Sequence, residues 1–188
     1  MRSLIVPTLA VLLGGAQASA QAPAPGAPPG MPTPPPLPKE LPLAVAVAWA
    51  EAAIADCKSK GYNITATYMN TNGDIKLVMR SDNTLARTVD IGRRKAYTVI
   101  KTGMSSGDYG ASVGFGPGKP LPPPTPGRPM GAPPGPDADV NLIVFAGGLP
   151  IKMGGTPIGA ISVSGAPGGE KDVACAETGL AKIADQLK

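Results

Sequence analysis

The sequence predicts one α/β (α+β) domain, a central and mostly antiparallel sheet flanked by helices, in the order α-β-β-α-β-β-(β)-α. Three observations predict it. Of 24 prolines, ten fall within residues 21–42 and ten within 116–137, so folding is left to two blocks, 43–115 and 138–188, enough for one core and too few for two. Apolar residues recur at helical spacing near 43–58, 88–101 and 170–187. Between them lie short apolar or alternating runs bounded by Gly, Pro and Asn, which read as strands.

Residues 1–20 carry Arg2, an apolar run over 4–13 and a small-residue triplet Ala18-Ser19-Ala20, the pattern of a cleaved secretory signal with cleavage after Ala20. The run is too short to span a bilayer, and no other stretch could. The expected location is periplasmic or secreted. The whole chain has a net charge of +4, too mild to argue for nucleic acid, and the only basic run, Arg93-Arg94-Lys95, fans around a helix axis and reads as a solvated face. Residues 21–42, rich in Pro, Ala and Gly, form an extended linker; Pro32 and Pro35 spell a PxxP, but a spacer is the simpler reading.

In the first helix, 43–58, the stripe is Leu43, Val47, Ala50, Ile54 and Cys57, with Trp49 beside it as a cap on the core. Residues 62–69 and 75–80 pair as a hairpin through Asn72-Gly73-Asp74, a strong turn signal. The second helix, 88–101, takes Thr88 as N-cap and Asp90 in its first turn. Gly92, Ala96, Val99 and Gly103 on one face let it lie close to the sheet or to a planar ligand. Residues 102–115 show no period, and the proline-dense 116–137 reads as a surface loop projecting from the domain.

Residues 142–146 form an apolar run suited to a strand buried on both faces. Residues 158–164 alternate, with Ile161 and Val163 on one face and Ala160, Ser162 and Ser164 on a small-residue face open to a helix or flat ligand. Gly165 to Gly169 break this strand, and Glu170 and Asp172 open a last helix whose face runs through Val173, Ala176, Leu180, Ile183, Ala184 and Leu187. Gly147, Gly148 and Gly165, next to strands, are expected to adopt positive φ or admit close backbone approach, with Pro150 just beyond the glycine pair.

The order GG-x-PI, then G-x-x-IGAI-x-VSGAPGG, then D-x-x-CA-x-x-GL, over 147–180, resembles the signature of the GlcG/HbpS haem-binding family, also called PduO C-terminal-like. Thr88, Asp90, Ile91, Lys95, Ala96 and Thr98 resemble its S-x-D-I-x-x-x-KA-x-T element, with Thr88 for Ser and Gly92 where Ala is usual. The resemblance implies a sandwich of about five strands, a haem or tetrapyrrole ligand and a homo-oligomer. It also implies a ligand site lined by the region after the second helix, where this chain diverges.

The chain has no histidine, which removes the commonest metal ligand, the usual general base and the usual haem axial ligand. Ser/His/Asp and Cys/His triads are excluded, and no P-loop or dinucleotide fingerprint occurs, so no enzyme is indicated. Haem remains open, because iron is also held by Tyr, Cys or Met. Tyr97, Tyr109, Met104 and Met153 are the candidate ligands, Arg80 and Lys95 the candidate propionate partners, and Thr98 lies on the same helix. Each has a plainer reading, as core for the tyrosine at 97 and the methionines and as a solvated strand end for Arg80. Cys57 and Cys175 in an exported chain favour a disulfide, and the resemblance places the first and last helices together; against it, Cys175 lies off its helix's apolar stripe. The competing functions are a binder of a small organic metabolite or corrinoid without iron, and an interaction module using the proline-rich segments.

Overall fold

In the computed structural model, which describes residues 39–116 and 119–188, helix α1 (Leu43–Ser59) leads into strands β1 (Thr65–Met69) and β2 (Ile75–Arg80). Helices α2 (Arg87–Thr102) and α3 (Ser106–Ser112) follow, then β3 (Gly148–Met153), β4 (Thr156–Ser164), α4 (Gly169–Lys182) and a closing 3-10 turn, Ala184–Leu187. Residues 1–20, where a signal segment is expected, and residues 21–38 of the expected linker lie outside the described residues. Four antiparallel strands run in the order β2-β1-β4-β3. Among the described residues, no helix is long and apolar enough to cross a membrane.

The β1–β2 turn forms where expected. Gly73 takes φ 88°, and Asn70 Oδ1 accepts the N–H groups of Asn72 and Asp74. Pro150 sits on the edge strand β3, where a missing N–H costs no ladder bond.

Strand alternation splits the sheet into two differently filled faces. Ala66, Tyr68, Ile161 and Val163 face α1 and α4 in the main core. The other face, Thr65, Thr67, Ser162 and Ser164, is small and polar, and α2 settles on it: Ser162 Oγ donates to Gly92 O at 2.7 Å, and a Cβ on Gly92 would stand 3.0 Å from Thr67 Oγ1. The small face of β4 therefore receives a helix.

Several expectations need correction. In α1, Leu43 is 61% exposed and the buried face is Ala46, Trp49, Ala50, Ala53 and Cys57. The cause is Trp49, whose indole donates to Ala176 O at 3.1 Å and fills the space above Gly179, turning the helix toward α4. Thr88 is not an N-cap: its hydroxyl meets Leu85 O and the Thr65 hydroxyl, pinning α2 to β1. Residues 102–115 hold α3, begun by Ser105 Oγ accepting from Asp108 N–H.

Residues 142–146 are half-buried to buried but join no strand. Their backbone is satisfied otherwise: Thr98 Oγ1 accepts from Ile143 N–H, Arg94 donates to Leu142 O, and Val144 N–H donates to Gly131 O. Among the described residues the sheet thus has four strands, where about five were expected. Nor does residue Ala184 continue the α4 face, because the helix stops at Lys182 and Ala184 is exposed. Cys175 is fully buried on the inner face of α4, bonded to Cys57 with Cα atoms 5.6 Å apart; the face it shares is lined by Asp172, Ala176 and Gly179, which an apolar-stripe reading passes over. The 116–137 loop projects only in part, since Gly131 to Pro133 are buried against the domain.

Candidate functional site

At the centre of the domain, α2, β4 and α4 meet on one polar cluster. Lys95 Nζ donates to Asp172 Oδ2 at 2.6 Å and to Val163 O at 2.9 Å, and Asp172 Oδ1 accepts the Ala166 N–H. Burial pushes the Lys95 ammonium down and the Asp172 carboxyl up, each opposed by the charge of its partner. The glycines crowd this cluster. A Cβ on Gly147 (φ 125°) would lie 2.6 Å from Lys95 Nζ, one on Gly148 2.6 Å from Lys95 O, and one on Gly165 (φ 139°) would collide with Asn63 O. Lys95 is consequently committed to an ion pair inside the protein.

The basic run at 93–95 is divided among three environments. Arg93 is a surface residue bonded to Asp90 and Asn141. Arg94 is buried beneath the proline-rich loop, donating to Met130 O and Leu142 O at 2.6 Å each. Only one of the three charges is therefore solvated.

Arg80 is exposed on edge strand β2 and Met153 packs into the main core from the opposite edge strand β3, so these two are not brought together with the rest. Thr98 is buried and bonds Arg94 O and Ile143 N–H, a positioning role. Tyr97, Met104 and Tyr109 share the α2–α3 side. Tyr97 OH donates to Asp139 Oδ2 at 3.0 Å, with Lys101 Nζ 5.9 Å from its ring centre. Met104 lies in the link between the helices, 38% exposed. Tyr109 is half-buried on α3, its phenol pushed up first by desolvation and then by the Asp139 charge; among the described residues its hydroxyl makes no hydrogen bond. Asp139 itself is held down mainly by the Asn141 N–H.

Beside this face the proline-rich loop folds over a cleft of about 900 Å³, whose walls include Leu121, Met130 and Phe145 and whose charged lining residue is Arg128. A smaller cleft of about 450 Å³ opens between Tyr62, Asn83, Leu85 and Pro167. Sequence reading passed over Asp139, Arg128 and Phe145, which carry no motif; that Asp139 bonds Tyr97 of the second helix and that Arg128 and Phe145 line one cleft is visible only in three dimensions. Among the described residues no cluster of Cys, Asp and Glu is arranged to hold a metal ion.

This fold, with its helix-covered sheet and glycine-crowded polar centre, defines a small α+β module. The family model described as "Haem degrading protein HbpS-like" matches residues 41–181, and the chain belongs to that HbpS-like family. Among solved structures it is similar to Klebsiella pneumoniae protein ORFY, with 22% identity over 82% of this chain and 97% of that one and a TM-score of 0.64. A double mutant of Streptomyces reticuli HbpS is similar at 24% identity, over 84% and 97%, with a TM-score of 0.62. A PduOC:heme complex is similar at 17% identity, over 77% and 96%, with a TM-score of 0.59. At such identities these likenesses show a shared fold. No curated protein matches the chain.

Proposed function

We propose that this protein is an exported haem- or tetrapyrrole-binding protein, a sensor or scavenger that works as a homo-oligomer. Membership in the HbpS-like family supports the ligand class, and one structural observation carries the reading: the proline-rich loop encloses a largely apolar cleft of ligand size, whose Arg128 bonds Ala138 O next to the Asp139 that accepts from Tyr97, and among the described residues the Tyr109 hydroxyl makes no hydrogen bond. The donor set fits haem without histidine, because a phenolate is an established axial ligand type. Tyr109 is the better donor of the two tyrosines, since the Tyr97 hydroxyl is committed to Asp139. Haem, when bound, supplies the redox-active iron; the chain supplies burial, a donor atom and charge. The Ala18-Ser19-Ala20 signal pattern and the buried Cys57–Cys175 disulfide support export to an oxidising compartment.

Titration of the chain from Gln21 onward with haemin, with cobalamin in parallel, tests this. A Soret shift that saturates at a single haem per chain, and that changes in Tyr109→Phe, is the expected result. Nonspecific broadening with haemin rejects the reading, and saturable binding of cobalamin alone transfers the site to a corrinoid.

A further inference from the structure

The proline-rich loop over residues 119–138 is more than a surface excursion. Its cleft of about 900 Å³ is lined by fifteen residues, seven of them prolines. Proline fixes φ, so these walls lose little freedom when a ligand binds and the cleft is largely pre-formed. Three contacts fasten it to the domain: Arg94 donates to Met130 O, Val144 N–H donates to Gly131 O, and Gly131 (φ 70°) lies so close to Phe145 that a Cβ there would stand 2.6 Å from the ring.

Among the described residues, Arg128 is the one charged residue in that lining. Its Nη2 donates to Pro133 O and Ala138 O at 3.1 Å each, so the guanidinium is held in place by two carbonyls, and among the described residues its Nε and Nη1 donors are left over. Among the described residues no carboxylate lies within ion-pair distance of Arg128. An oriented guanidinium with spare donors and no counter-charge, set in an apolar cleft, is matched in charge and geometry to a carboxylate on an otherwise apolar molecule.

We propose that residues 119–138 form a ligand site of their own, which takes a largely apolar molecule bearing a carboxylate, with Arg128 binding the carboxylate and Leu121, Met130 and Phe145 burying the apolar body. For a tetrapyrrole this rests on the haem-binding reading and assigns the acid side chains of the macrocycle to Arg128, in place of Arg80 or Lys95.

The test compares protoporphyrin IX, its dimethyl ester and haemin on the wild-type chain, Arg128→Ala and Arg128→Lys. Wild type is expected to hold the acid about tenfold more tightly than the ester, the worth of a charge-assisted hydrogen bond. Arg128→Ala is expected to hold acid and ester alike, and Arg128→Lys to recover part of the preference. A loop that merely collapsed would weaken both ligands together, so the acid-to-ester ratio isolates the carboxylate contact. Phe145→Trp adds a reporter, quenched when the porphyrin occupies the cleft. A wild-type chain without acid preference, a ratio unchanged in Arg128→Ala, or an unquenched Trp overturns the site; the haem reading stands if haemin still gives its saturable Soret shift. Failure of all three ligands to bind wild type overturns both.

Discussion

Lys95 on α2 and Asp172 on α4 form an ion pair of 2.6 Å with side chains 2% and 4% exposed, joining the two motif elements that lie 77 residues apart. With β4 between them supplying Val163 O, this contact locks the helices on opposite faces of the sheet into one register. Breaking such a pair leaves an uncompensated buried charge, whereas removing both partners does not. Lys95→Met is expected to lose about 3–5 kcal/mol at neutral pH, and Lys95→Met with Asp172→Leu to recover much of it, by denaturant unfolding. Equal losses in single and double variants would contradict the account.

The same pair predicts a pH signature. Burial already raises Asp172, and Lys95 opposes that rise, so loss of Lys95 pushes the carboxyl further up. A raised folded pKa means the native state binds the extra proton, so stability is highest below the unfolded pKa and falls as pH climbs through the raised value. The deficit of Lys95→Met should therefore be smaller in mild acid than at neutrality. Melting temperatures of the variant and wild type across that window check the sign.

The Cys57–Cys175 bond closes a loop with a sequence separation of 118. Cross-links of that span restrict the unfolded chain, and replacing both cysteines by Ala is expected to cost about 4 kcal/mol. Denaturant midpoints with and without reductant should show the same loss in wild type.

At Gly165, Asn is not expected to rescue what Val destroys. The residue has φ 139°, outside the left-handed well that Asn tolerates, and its Cβ would run into Asn63 O. Both Gly165→Val and Gly165→Asn should lose about 2–3 kcal/mol. A stable Asn variant would show that the backbone there relaxes.

Replacing residues 119–129 by a short Gly/Ser linker should leave the melting transition cooperative and change stability by about 0.5 kcal/mol or less. Extending the deletion to residue 137 removes Met130 O from the buried Arg94 and Gly131 O from Val144 N–H, and should cost about 3 kcal/mol. Equal tolerance of the two deletions would show that the loop's inner half carries no structure.

Local chemistry by itself determined the helices at the first, second and last apolar stripes, the Asn72-Gly73 hairpin and the small-residue face of β4, since spacing, turn propensity and side-chain size act over a few residues. The motif elements also marked Lys95 and Asp172 as residues of consequence. What no local reading supplies is which groups meet across 40 residues or more. The 142–146 run has a strand's composition, yet its N–H and C=O groups find Thr98, Arg94 and Gly131 and leave it outside the sheet. Arg94 reads as a surface charge because a helical wheel cannot show the loop that folds over it. Cys175 looks misplaced until Gly179 and Ala176 let Trp49 turn α1 toward it. Tertiary structure decided these points because a polar group's environment is set by the partners that packing brings to it, and those partners come from distant parts of the chain.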